Sequence, residues 1–179
     1  MPNWCSNSIT IQGSTETIKT LWEDAQANWK NEDYGLLNAM VPMPEALKGT
    51  TSPSPADGSQ PTVDGYDNWY DWCVDNWGTK WDVSDEGLEF TDNGDGTSSI
   101  TGYMDTAWAP PIAAYNKFLD DMDNCTLESW YEEGGMDFAG HYIDGSDDGL
   151  DNISDYAREV VKGKPSGSSL YDELDAELE

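Results

Sequence analysis

The chain has 179 residues, with 36 acidic side chains against eight Lys and Arg, and a formal net charge of -28 at pH 7. Such a polyanion repels nucleic acid and acidic membranes and attracts basic surfaces, and its length supports one domain with appendages or at most two small ones. Nine tryptophans and nine tyrosines set it apart from disordered acidic chains, because large rings supply a core that a low apolar content otherwise lacks.

Ser8-Ile9-Thr10-Ile11-Gln12 alternates and is β-branched, which predicts a strand ending at Gly13. Ser14 is placed to cap a helix, though Thr17 three residues on does not complete a capping box. Ile18, Leu21, Trp22, Ala25 and Trp29 then recur at helical spacing, predicting a helix from about Thr15 to Trp29. Leu36 to Leu47 is apolar but broken by Pro42 and Pro44, so it reads as an extended segment. Lys48 to Asp67 is rich in Gly, Ser, Thr and Pro and reads as a surface loop. Asp67 to Trp77 reads as a short helix with Trp69, Trp72 and Cys73 on one side.

Lys80–Phe90 and Thr97–Trp108 read as two strands joined through Asn93-Gly94-Asp95-Gly96, whose Asn-Gly and Asp-Gly steps supply the positive φ angles of a hairpin. Pro110 and Pro111 stand where a helix can begin, and Ile112, Ala113, Tyr115, Phe118, Leu119 and Met122 carry it to about Asp123. Cys125–Glu132 and Met136–Ile143 read as strands around a Gly134-Gly135 turn. With the insert at about 31–79 set aside, the order is βαββαβ, a ferredoxin-like α+β sandwich over residues 1–143 in which two helices cover one face of an antiparallel sheet. The extension at 144–179 holds a helix over Ser154–Val161, a spacer over Gly163–Ser169 and an acidic tail with Leu170, Leu174 and Leu178 at helical spacing.

Cys5, Cys73 and Cys125 form no CxxC or metal-like spacing and read as reduced thiols, which suits a cytoplasm. The start Met1-Pro2-Asn3-Trp4 has no basic or apolar leader pattern, so no signal peptide is expected. No apolar run reaches the length of a membrane span.

Four stretches resemble one family. They are Met1-Pro2-Asn3-Trp4-Cys5-Ser6-Asn7 with the following strand, Val41-Pro42-Met43-Pro44-Glu45, Asn76-Trp77-Gly78-Thr79-Lys80-Trp81-Asp82, and Thr106-Ala107-Trp108-Ala109-Pro110-Pro111. In this order the set is similar to the YubB-type ferredoxin-like domain proteins of bacteriophages and conjugative plasmids. The resemblance covers roughly the first 145 residues, an ordinary domain size. It implies a mobile-element accessory protein in a bacterial host cytoplasm, with no reaction to carry over, and it leaves the extension beyond Asp144 unexplained.

Three features carry functional readings. The first is the acidic surface, densest at Asp120, Asp121, Asp123, Glu128, Glu132, Glu133 and Asp137 with no nearby base. It is either a solvated face or a mimic of a phosphate backbone that competes with DNA for a basic host or phage protein. The second is the indole-rich stretch from Trp69 to Trp81, in which Trp77 and Trp81 either anchor a partner or fill the core. Lys80 within it is expected to pair with Asp82 or a helix C-terminus. A nucleic-acid stacking platform is excluded, because it needs a basic groove alongside. Leu170, Leu174 and Leu178 suit an amphipathic peptide docking on a partner groove.

The third is Asp144-Gly145-Ser146-Asp147-Asp148-Gly149. Asp144, Ser146, Asp148, Asn152 and Asp155 fall at the spacing of the oxygen ligands in an EF-hand-like calcium loop. Asp151 stands where an apolar residue normally packs, and the segment before the loop reads as strand rather than helix. His141 is the only histidine and Pro2 a potential N-terminal amine, but no nucleophile motif or tuned acid–base pair assembles around either. The expectation is a non-enzymatic protein-binding accessory factor, in its sharpest form a DNA-mimic inhibitor. The alternatives are a calcium-stabilised structural or virion component and a small enzyme.

Overall fold

The computed structural model describes residues 3–31 and 34–153. It is an α+β structure built on one six-stranded antiparallel sheet. The elements in chain order are β1 (Trp4–Ser14), α1 (Thr15–Lys30), α2 (Leu36–Met40), α3 (Glu45–Lys48), α4 (Trp69–Trp77), β2 (Leu88–Asp92) and β3 (Thr97–Ala107). They continue with α5 (Ile112–Asp121), β4 (Thr126–Glu133), β5 (Phe138–Ile143) and β6 (Ser146–Asp147). Across the sheet the strands run β2-β3-β1-β4-β5-β6. Leu170, Leu174, Leu178, Asp155, Pro2 and the predicted helix over Ser154–Val161 lie outside the described residues.

Strand β1 alternates along its whole length. Cys5, Asn7, Ile9 and Ile11 are buried toward the helices, and the residues between them face away. Ser14 ends the strand and caps α1 as the sequence predicts, its hydroxyl accepting from Thr17 N–H at 3.1 Å. Helix α1 buries Ile18, Leu21 and Ala25, and α5 buries Ala114, Tyr115 and Phe118. These residues join Ile9, Ile11, Ile100 and Leu127 of the sheet in one core. The free thiols Cys5 and Cys73 are buried in the same core, and burial pushes the pKa of each up to about 12.

Two stretches differ from the sequence reading. Leu36–Leu47 is not extended but carries α2 and α3. Pro42 lies between the two helices and Pro44 is the N-cap of α3, so neither breaks an intrahelical hydrogen bond. The device that permits α2 is Asp82, forty-odd residues on. Its carboxylate accepts from the N–H groups of Gly35, Leu37 and Asn38 at 2.7, 2.8 and 2.8 Å, and from its neighbour Val83 at 2.8 Å. The first three are donors that the start of α2 leaves without partners. Burial pushes the Asp82 carboxyl above its ordinary value, against the downward pull of the four donors.

The same commitment shortens the expected strand Lys80–Phe90 to Leu88–Asp92. Asp82 turns toward α2, Val83 is buried, and the Val83 carbonyl accepts from the Trp29 indole at 2.8 Å. Gly102 on β3 then meets Gly87 so closely that a Cβ would run into the Gly87 carbonyl oxygen, and its φ of +141° is one that side chains disfavour. No helix of the described residues is long and apolar enough to cross a membrane.

Candidate binding surface

Among the described residues the helices leave one side of the sheet open, and register defines what it presents. Directly paired residues on neighbouring strands share a face. Four rows follow. Asp105, Ser6, Glu132 and Ala139 form the first, and Tyr103, Ser8, Trp130 and His141 the second. Glu89, Thr101, Thr10, Glu128 and Ile143 form the third, and Thr91, Ser99, Gln12 and Thr126 the fourth. The surface is therefore a field of hydroxyls with carboxylates at Asp105, Glu132, Glu89 and Glu128. Ser6 donates to Asp105 at 2.9 Å.

None of the six strands contains Lys or Arg, whereas they carry Glu89, Asp92, Asp105, Glu128, Glu132, Glu133 and Asp147. Every basic residue among those described sits on a helix or the loop after α4: Lys19, Lys30, Lys48, Lys80 and Lys117. The charge is thus partitioned among the described residues: the strands carry carboxylates and no Lys or Arg, and the cations stand on helices or on the loop after α4. Two rings break that face. Tyr103 is 65% exposed, and Trp130 stacks on His141 with centroids 3.8 Å apart and planes within 8°. His141 Nε2 also meets Glu128 Oε1 at 2.8 Å. Trp130 and Ile153 both pack against Ala139, so the described chain ends over the β5 side of this face.

At the end of the face where β1 begins, a second group of rings gathers. Trp4 is 47% exposed and lies 5.9 Å from Trp81, centroid to centroid. The Lys80 ammonium stands 4.7 Å from the Trp81 ring, 5.4 Å from Trp108 and 5.9 Å from Tyr70, all within the roughly 6 Å reach of cation–π attraction. The scaffold that holds these rings is tight. Thr79 is buried, and its hydroxyl donates to the Ala107 carbonyl at 2.9 Å and accepts from the Ala107 N–H at 3.0 Å. Gly78 turns the chain out of α4 with φ +85°. Trp108 has φ +70°, which for a bulky residue costs about 1–3 kcal/mol, and its N–H donates to the Asn3 carbonyl at 3.0 Å.

The residues singled out by sequence do not all come together. Asp120, Asp121 and Asp123 are exposed at the end of α5. Glu128 and Glu132 are the two that reach the open face. Glu133 points into the protein instead. It is 2% exposed and accepts from Gly135 and Met136 N–H at 2.7 and 2.6 Å, closing the β4–β5 turn. Asp137 lies in that turn at φ +59° and accepts from Asn152 and from the Ile153 N–H, each at 3.3 Å. Trp77 is in the core, fully buried, its indole N–H on the Val41 carbonyl at 2.9 Å, so it offers no surface. Trp81 alone of the two, half-buried, joins the rings around Lys80. Lys80 and Asp82 do not pair, because one enters the ring cluster and the other caps α2.

The loop read as EF-hand-like is a β-hairpin corner. Asp144 and Gly145 form the two-residue turn between Ile143 and Ser146, with φ +45° and +92°. The Asp144 carboxylate accepts from Leu127 N–H at 2.7 Å, and the Asp148 carboxylate from His141 N–H at 2.8 Å. Asp147 takes the Tyr131 hydroxyl at 2.6 Å. Among the described residues, no group of three or more His, Cys, Asp or Glu side chains is arranged to hold a metal ion.

Sequence reasoning missed Trp4, Tyr70, Trp108 and Asp105, which register sets in one row with Glu132. Alternation along β1 and β3 could have put Asp105 on the open face; nothing local brings Trp108 to Lys80.

No family model matches this chain, and no curated protein matches it. Among solved structures it is similar to protein api92 from Yersinia pseudotuberculosis, of the family DUF1281. The sequences are 14% identical, the TM-score is 0.41, and the match covers 61% of this chain and 36% of that one.

Proposed function

We propose that this chain is a non-enzymatic accessory protein of a mobile genetic element, and that it presents the open face of a ferredoxin-like sheet to a basic host or phage protein. The strand order β2-β3-β1-β4, all antiparallel, with α1 and α5 as the two crossovers, supports the ferredoxin-like reading, with β5 and β6 added beyond β4. The observation that carries the binding reading is the partition of charge among the described residues: four carboxylates on a sheet face that no described helix covers, and no Lys or Arg on any described strand.

The match is of charge rather than of shape. Neighbouring strands lie about 4.8 Å apart, so Asp105 and Glu132, on either side of β1, are about 10 Å apart. Duplex DNA carries one charge per roughly 1.7 Å of its axis. The face therefore competes for a basic cleft through its field and through Tyr103 and the neighbouring rings, not by tracing a double helix.

The test is a titration of the ¹⁵N-labelled chain with a short lysine-rich peptide. The expected shifts fall on Ser6, Ser8, Thr10, Tyr103 and Trp130, and they fade between about 0.05 and about 0.5 M salt as the Debye length shrinks. Shifts centred on the helices, or spread evenly, would refute the reading.

A further inference from the structure

We propose that Tyr70, Trp81 and Trp108 form a receptor cage for an alkylammonium group carried by another molecule, and that Lys80 occupies it as a displaceable internal stand-in. Three ring centroids lie 4.7, 5.4 and 5.9 Å from one ammonium, and aromatic cages of this kind recognise quaternary and methylated ammonium groups. The environment makes this choice informative. In a chain with 36 acidic residues, Lys80 makes no ion pair among the described residues. Its charge is held by π faces where carboxylates are abundant.

The cage is also built before any ligand arrives. Its rings come from α4, from the loop after it and from the residue after β3, three segments fixed to one another by the two-way Thr79–Ala107 hydrogen bond. Trp108 is kept at a positive φ to deliver its ring, and strain of that kind collects where a side chain must be aimed. Trp108 is 38% exposed, and Tyr70 and Trp81 are half-buried, so the cage reaches solvent on the Trp108 side. The Lys80 stem is a flexible four-carbon arm that can withdraw to water without moving the backbone. The strongly negative chain concentrates cations around the opening.

The site lies at the β1 end of the sheet face, outside its carboxylate rows, and its test needs no protein partner. The indole N–H resonances of Trp81 and Trp108 are followed in the full chain while tetramethylammonium chloride is added, with potassium chloride as the ionic-strength control. The structure predicts a saturable shift absent from the potassium series. Lys80→Ala is expected to tighten binding about tenfold if Lys80 fills the cage about nine-tenths of the time, because the intrinsic affinity is divided by the fraction of empty cages. Tyr70→Ala and Trp108→Ala are expected to abolish the shift, and Tyr70→Ala leaves the strained backbone at Trp108 untouched should the second variant fold poorly.

Two further arms, an N-acetyl-lysine amide and its Nε-trimethyl form, separate a plain lysine head from a methylated one. Saturation by either supports the cage. Shifts that track potassium chloride for all three compounds, or an affinity unchanged in Lys80→Ala, would overturn it. Because the probe is a small ion, a negative result here leaves the sheet-face proposal standing, and the reverse holds for the peptide titration.

Discussion

Asp82→Ala removes the one acceptor shared by four backbone N–H groups. Gly35, Leu37, Asn38 and Val83 are all buried residues, so water does not simply replace the carboxylate. A buried donor left unpaired costs about 1–3 kcal/mol, which for four gives a gross loss of about 4–12 kcal/mol. Removing the charge also removes its own desolvation penalty, several kcal/mol in the opposite sense. The net expectation is a loss of about 3–5 kcal/mol. At about 2–4 °C per kcal/mol for a chain of this size, the melting temperature falls by roughly 6–20 °C. Asp82→Asn keeps one oxygen but turns an N–H₂ toward donors, so it falls between the native chain and the alanine variant. Circular dichroism melts of the three proteins decide the matter. A drop of less than about 3 °C for Asp82→Ala, equivalent to about 1 kcal/mol, would refute the claim that this carboxylate holds α2 in place.

Other expectations follow from the core and the sheet. Cys5 and Cys73, with pKa values pushed up to about 12 by burial, should resist alkylation in the folded chain at mildly alkaline pH and react once it is unfolded in urea, as read by mass spectrometry. Their raised values also fix a sign: the folded state keeps protons that unfolded thiols release above 9.0. That share of stability is whole below pH 9 and is lost as pH rises through about 12. A urea midpoint that climbs across this range would contradict it. Gly102→Ala should be strongly destabilising, because the added Cβ meets the Gly87 carbonyl on the neighbouring chain segment at a φ that alanine disfavours; a melt like that of the native chain would count against the close β2–β3 approach. Trp77→Ala should cost about 3–5 kcal/mol in urea denaturation, as for a large side chain removed from a packed core.

Local patterns carried most of the framework. The alternation of Ser8–Gln12, the periodic Ile18, Leu21 and Ala25, the Asn-Gly and Asp-Gly steps and the Pro110-Pro111 start each act within a few residues, and each reappears in β1, α1, the β2–β3 hairpin and α5. Leu36–Leu47 was misjudged because its helices depend on a side chain about forty-five residues away, which no window of local propensity contains. The strand expected over Lys80–Phe90 is shorter for the same reason, since Asp82 and Val83 are drawn off to tertiary partners. Among the acids, composition counted charges but not directions. Glu133 and Asp144 spend their carboxylates on backbone N–H groups that turns leave unpaired, whereas Asp105 reaches the open face because it alternates in register with Ser6. The ring cage was illegible because Tyr70, Lys80 and Trp108 meet only after β3 folds beside the end of α4.

The most direct test of the anionic face is a charge-removal cycle on the row that crosses β1. Asp105→Asn and Glu132→Gln, singly and together, preserve size and keep one acceptor oxygen each. Affinity for the lysine-rich peptide is measured by calorimetry at low salt, beside Asp120→Asn/Asp121→Asn as a control at the end of α5. Weakening of about tenfold in the double variant of the sheet face, against a change of less than about twofold in the α5 control, is the predicted result. Equal weakening in the two double variants would contradict it, because binding would then follow net charge rather than this surface.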